Sequence, residues 1–318
     1  MIQYKGFLSK SWLPKFLSYK NLLWSQTVKY NRDFKHGGEK MISGVIKKLI
    51  VWLIILSPFF ILHCSRDYPI FEQKDVKFPL SIGNWWKLNG KWKMVFKPPV
   101  SPWGDSIVLY YSIHWEIVDK DNLCGYQSYV LQNEYYEENE GYSYTLDWYT
   151  DFWDGRHGLY HIAYSGVGGL PIKFLTVPGY KFKFAGRTFN SPHEILLWVQ
   201  GLEPCKEDTT LRIPPRKVLV YPLKIGKEWI AFDDPWLQTR KVVGRETIIT
   251  PAGTFLCYKI EVVGEVWKDY MVWYDWFSNK GLIKRYIWFT GYMTDEHGNI
   301  IGTFESTDIC LLEGYFIH

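Results

Sequence analysis

Cysteine and methionine are scarce, with five of each in 318 residues. No two cysteines form a Cys-x-x-Cys pair, so the dithiol redox motif and the zinc knuckle are both missing. Neither a Gly-x-Ser-x-Gly elbow nor a phosphate-cradling glycine loop is present, which removes two common signatures of hydrolases and nucleotide binders. No cofactor and no metal is therefore expected. Long apolar runs are missing too. The longest uncharged one, Leu49 to Leu62, has 14 residues, whereas a bilayer-spanning helix needs roughly 20. Positive charge is also short where a nucleic-acid binder would need it. Residues 64–318 carry 27 Lys/Arg against 31 Asp/Glu, although the whole chain has a net charge of +4. Nucleic acid is excluded as a partner.

What the chain does have is apolar and aromatic mass. Hydrophobic residues make up 47% and aromatics 19%, with 17 Trp and 23 Tyr. Rings and β-branched side chains fit a pleated, half-buried surface. The expected fold is mainly β: a curved antiparallel sheet, half-barrel-like, from about Val76 to the end, with one covering helix.

The excess of positive charge lies at the front. Residues 1–40 hold eight Lys/Arg against Asp33 and Glu39, and residues 41–63 add Lys47 and Lys48 with no acid. Two lysines before a short apolar run form the n-region and core of a signal peptide or a membrane anchor at 41–63. Met41 then reads as a second start, leaving 1–40 as an upstream extension or a cytoplasmic tail. Ile61-Leu62-His63-Cys64 resembles the lipobox of bacterial lipoproteins, in which the cysteine thiol receives diacylglycerol. His63 departs from that pattern, which prefers a small residue before the cysteine. Cys64 is the candidate lipidation site, and 64–75 is a tether. The expected location is the cell envelope, on the periplasmic or extracellular side of a membrane.

From there the chain reads as short alternating runs between turns. Ser106–Val118 ends at Asp119-Lys120-Asp121-Asn122, and Tyr142–Tyr149 precedes a turn at Asp154-Gly155. Glu246–Thr250 leads through Pro251-Ala252-Gly253 into Thr254–Val263, whose Leu256, Tyr258, Ile260 and Val262 are placed on one face. Met271–Phe277, Leu282–Thr290 and Ile300–Leu312 follow. Ser191 caps a helix with Pro192 at its first position and Glu194 at its third, closed by Gly201. The segment Phe78-Pro79-Leu80-Ser81-Ile82-Gly83-Asn84-Trp85-Trp86 has a near-copy in Tyr221-Pro222-Leu223-Lys224-Ile225-Gly226-Lys227-Glu228-Trp229, sharing Pro, Leu, Ile, Gly and the final Trp. It points to two halves, about 76–217 and 218–318.

The second copy, with Thr250-Pro251-Ala252-Gly253-Thr254-Phe255 and Cys257-Tyr258-Lys259, resembles a group of uncharacterised bacterial periplasmic and lipoprotein β domains. Trp273-Tyr274 and Gly281-Leu282-Ile283-Lys284 match the group's later strand pair, with Ser278 or Asn279 where it has a first glycine. The resemblance covers about 218–290. It implies a curved half-barrel like those of the lipoprotein carriers LolA and LolB, whose concave apolar face holds acyl chains. It carries over no catalytic residues.

Candidate chemistry is thin. Cys124, Cys205, Cys257 and Cys310 could form disulfides after export, or Cys257 and Cys310 could be small buried strand residues. His157 and His161 have the spacing of a zinc pair but lack a third ligand, and read as solvent-facing or core-edge side chains, with His114 and His193 isolated. Asp147, Asp151, Asp154, Asp233 and Asp234 are the carboxylates available for glycoside chemistry, yet most sit where turns are expected. Fourteen tryptophans from Trp85 to Trp288 exceed the needs of one core, so some should line a surface or cavity. The sequence favours a non-catalytic envelope lipoprotein binding an apolar ligand, such as a lipid or acyl chain, or a protein partner. An exported carbohydrate-binding protein is the second reading and an exported hydrolase the third.

Overall fold

The chain divides into two units, Met1–Glu72 and Gln73–His318. The computed structural model describes residues 76–100, 104–123, 125–137, 141–165, 179–201 and 209–318, all in the second unit. The leader at 41–63, the tether at 64–75, Cys64, Trp103, Cys124 and Cys205 lie outside the described residues.

A long antiparallel meander begins with β1 (Trp85–Val100), β2 (Gly104–Leu123), β3 (Tyr126–Glu137), β4 (Gly141–Trp153) and β5 (Arg156–Ser165). A small hairpin, β6 (Lys181–Phe184) and β7 (Arg187–Phe189), precedes the helix α1 (Pro192–Val199). Then come β8 (Thr210–Val220), β9 (Glu228–Phe232), β10 (Gln238–Thr250), β11 (Gly253–Gly264), β12 (Met271–Ser278), β13 (Gly281–Thr294) and β14 (Ile300–Phe316). The strand order is β8-β5-β4-β3-β2-β1-β14-β13-β12-β11-β10-β9, with β6 added beside β13. The outermost strands, β8 and β9, lie side by side. The sheet is therefore a nearly closed barrel. Near-closure leaves little exposed edge for stray pairing. The expectation of a curved antiparallel sheet with one covering helix holds among the described residues; its closure goes further than a half-barrel.

No ladder joins β8 to β9. Side chains span the gap instead: Trp229 Nε1 donates to Lys217 O at 3.0 Å, and an Arg240 guanidinium nitrogen donates to Val218 O at 3.3 Å.

The two copied segments are built alike. Gly83 N donates to Ile117 O at 2.8 Å, Ile117 N returns a bond to Asn84 O at 2.9 Å, and Asn84 N closes on Ser81 O at 3.1 Å. In the second copy Gly226 N donates to Val242 O at 2.8 Å, Val242 N to Lys227 O at 2.9 Å, and Lys227 N to Lys224 O at 3.0 Å. Both glycines sit at φ +85°, a left-handed turn that a Cβ would strain. Just beyond each docking point the next strand pair slips register, between Ile117 and Asp119 and between Val242 and Gly244.

Two local expectations change. Residues 119–122 do not end a strand. β2 runs on to Leu123 paired with β3, and the carboxylates of Asp119 and Asp121 accept from the next backbone N–H at 2.7 Å each. Leu256 is 45% exposed while Phe255, Cys257, Ile260 and Val262 are buried. The slip at Val242–Gly244 in the neighbouring strand resets the facing.

Most of the described tryptophans serve the core. Trp86, Trp92, Trp267, Trp273 and Trp276 are almost fully buried, and Trp92 Nε1 donates to Ser306 Oγ at 2.8 Å. Helix α1 forms as its sequence requires: Ser191 Oγ accepts from Glu194 N at 3.2 Å, Pro192 occupies the first turn, and Gly201 turns the chain at φ +61°. Its buried Ile195, Leu196 and Val199 belong to the main core.

Candidate functional site

Period-two alternation sends every second side chain of a barrel strand inward. Ten strands and the helix send theirs into one cavity of about 230 Å3. It is not the purely apolar trough that the resemblance implies. Leu88, Ile113, Leu196, Leu197 and Ile287 line it, but so do Arg216, Arg240, Arg285, Asp147, Asp308 and His161.

The charged side chains are ordered by their neighbours. Asp275 is fully buried, and it accepts from Arg285 Nε at 2.8 Å and from Trp273 Nε1 at 3.0 Å, with Arg240 at 3.6 Å. Burial alone would raise its carboxyl, but Arg285 and Arg240 outweigh that and hold it below the ordinary carboxylate range. Arg240 is pushed down to about 10, by burial first, with Asp275 opposing. Asp308 is held differently. Tyr111 Oη donates to its Oδ1 at 2.7 Å, yet burial prevails and pushes the carboxyl up to about 6. The Tyr111 ring reaches this position because it lies across Gly90 on the paired strand, where a Cβ would meet ring carbon Cζ at 1.9 Å.

On the opposite wall His161 Nε2 donates to Asp147 Oδ1 at 2.8 Å, and its ring stacks on Tyr149 with centroids 5.0 Å apart. Burial lowers the imidazole pKa and Asp147 only partly restores it. His193, on α1, is pushed down to about 4 by burial. Both histidines are neutral at pH 7. At the helix C-terminus Arg216 donates to Gln200 O at 3.1 Å and to Gln238 Oε1 at 2.9 Å, Gln238 Nε2 donates to Val199 O at 3.1 Å, and Arg212 donates to Gly201 O. Positive side chains at the carbonyl end of a helix oppose its dipole favourably.

Five residues on the lining keep a buried polar atom without a protein partner: Trp115 Nε1, Asn133 Oδ1, His193 Nδ1, Arg216 Nε and Arg240 Nε. An unpaired buried donor or acceptor costs about 1–3 kcal/mol.

The structure separates the residues singled out in the sequence. Of the five candidate carboxylates only Asp147 reaches the cavity; Asp151, Asp154, Asp233 and Asp234 are exposed. They do not assemble a pair, and Asp154 serves its turn at φ +48°. His157 is exposed beside Phe152, while His161 is buried, so the two do not share a site. His114 packs on Trp85. Among the described residues no three His, Cys, Asp or Glu side chains converge on a metal position. Cys257 and Cys310 are free and buried, each thiol pushed up to about 12, chiefly by burial. Of the tryptophans, Trp115 and Trp273 reach the cavity.

Sequence reading missed the interior charges. Arg240, Asp275 and Asp308 were legible as ionisable residues in phase with buried ones: Gln238 and Val242, Trp273 and Phe277, Ser306 and Cys310.

No protein-family model matches the chain, and no curated protein matches it. It is similar to a Bacteroides fragilis protein inferred to be exported and described as having a YmcC-like fold, at 11% identity and TM-score 0.29, over 76% of this chain and 100% of that one. A Parabacteroides distasonis protein inferred to be a lipoprotein is similar at 15% identity and TM-score 0.28, over 75% and 97% of the two chains. TM-scores this low leave fold and function to rest on the chain's own geometry. Among the described residues no helix is long and apolar enough to cross a membrane.

Proposed function

We propose that this chain is a non-catalytic binding protein of the cell envelope. Its barrel interior takes up a small molecule with an apolar body, and its N-terminal segment holds it at a membrane. The observation that carries the reading is the 230 Å3 cavity, walled by ten strands and α1, with five unpartnered polar atoms among the residues of its lining. Ligand pockets have this character: mostly apolar walls with a few placed polar groups, commonly in about 300–1,000 Å3. The volume here lies just under that range and favours a small ligand over a two-chain lipid. The envelope location rests on the leader at 41–63 and on Cys64.

Sugar binding would favour an open row of coplanar rings. Trp115 and Trp273 instead sit on different strands of the cavity wall, and Trp273 is occupied by Asp275, Arg240 and Arg285. Hydrolysis would need converging carboxylates, and the five candidates do not converge.

Titration with 1-aminoanthracene, a neutral fluorescent probe, tests the site. The full chain should bind it at one site, and Ile113→Trp, which fills the cavity, should abolish binding with the thermal midpoint retained. Unchanged binding in the filled variant would move the site out of the barrel.

A further inference from the structure

Three arginines line the cavity, and two of them already have a counter-charge. Arg240 and Arg285 share Asp275, at 3.6 and 2.8 Å. Asp147 is engaged by His161, and Asp308 by Tyr111. Arg216 is different. It is 7% exposed, its hydrogen bonds go to a backbone carbonyl and an amide oxygen, and its Nε has no protein partner. Its charged neighbours are Arg240, Arg212 and Arg285, and no described carboxylate pairs with it. Burial, then Arg240 and Arg212, press its guanidinium towards the neutral form. A guanidinium nevertheless stays protonated in a protein. Burying an uncompensated charge is strongly unfavourable. Its helix-docking bonds to Gln200 and Gln238 account for two donors and leave the charge unanswered.

We infer that the barrel interior recognises an amphipathic anion, whose compact acid group meets Arg216 and Arg240 and whose apolar body lies along Leu88, Ile113, Leu196, Leu197 and Ile287. The inference rests on the interior being the binding site and adds the charge of the ligand. A carboxylate and a phosphate monoester both offer the paired oxygens that a guanidinium fork accepts, and the cavity volume limits the apolar part to one chain of modest length. Asp308 adds a condition. It shares the lining with Tyr111, Arg285 and Cys310, so an acid ligand binds best where the Asp308 carboxyl is protonated.

Thermal midpoints of the full chain measured with octanoate, octyl phosphate and 1-octanol test this. The three share a tail and differ in the head. Octanoate or octyl phosphate should raise the midpoint at concentrations where 1-octanol does not, and the stronger of the two identifies the acid as carboxylate or phosphate. In Arg216→Gln the acid's advantage should fall at least tenfold, and Arg216→Lys should recover part of it. If Arg216→Gln does not fold, the wild-type comparison of acid with alcohol decides alone. Equal stabilisation by 1-octanol would overturn the charge inference and leave interior binding standing. No effect of any of the three, together with retained 1-aminoanthracene binding, would also overturn it. Loss of all four would overturn the interior-site reading as well, leaving ordered water as the partner of the interior polar atoms.

Discussion

The phenol oxygen of Tyr221 accepts a 2.8 Å hydrogen bond from the backbone N–H of Phe78. These are the leading aromatics of the two copied segments, 143 positions apart. Each segment anchors the start of its own meander, so this bond ties the entry of the first to the entry of the second. Tyr221→Phe removes only the acceptor and leaves the Phe78 N–H part-buried and unpaired. The variant should lose about 1–3 kcal/mol of stability, measured by urea unfolding, with the slope unchanged.

Asp275→Asn leaves the buried Arg240 and the half-buried Arg285 without their carboxylate. Breaking one side of a buried ion pair costs about 3–5 kcal/mol, and equilibrium unfolding should show a loss of that size at pH 7. The pH dependence has a definite sign. The folded carboxyl lies below its ordinary value, so its stabilisation is complete above the unfolded value of about 3.9 and is lost as pH falls through the folded one. The wild type should therefore weaken below about pH 4, and the variant should lack that part of the acid response.

Asp308 works in the opposite direction. Its folded carboxyl is raised to about 6, so the folded state holds a proton that the unfolded chain has already released. Stability should fall as pH rises from about 4 to about 6 and then level off. Asp308→Asn fixes the uncharged form and keeps an acceptor for Tyr111. It should be more stable than wild type by about 1–3 kcal/mol at pH 7 and equal to it near pH 4, by unfolding at the two pH values. The same gap at both would show that titration is not the cause.

How much of this was legible in the sequence varies with the range of the signal. Helix α1 was readable because Ser191, Pro192, Glu194 and Gly201 act within a single turn of themselves. The turn at Asp154-Gly155 was readable for the same reason. Leu256 was misplaced because a strand's facing depends on its neighbour's bulge, which lies in another segment. The run 119–122 looked like a turn because Asp and Asn favour turns, but pairing with β3 overrode that preference. The interior site was hidden most deeply. Arg216, Arg240, Asp275 and Asp308 come from four separate strands, and their convergence exists only once the sheet curls.

The N-terminal expectation has a direct check. The intact mass of the membrane-fraction protein should correspond to residues 64–318 plus diacylglycerol and any acyl group on the new N-terminus. In Cys64→Ala that species should disappear. An unlipidated chain starting at Met1 or Met41 would assign the tether to an uncleaved N-terminal anchor, with His63 blocking the processing.

The gap between β8 and β9 gives the barrel a seam. Every other junction along the sheet is a zipper of backbone bonds, and the whole ladder must fail before it parts. The seam is fastened by two side-chain latches, from Trp229 and Arg240. Arg240 also lines the cavity and leans on Asp275. One residue thus fastens the wall and faces the contents. What occupies the interior can bear on how firmly the wall is shut, since a guest that engages Arg240 acts on one of the two latches.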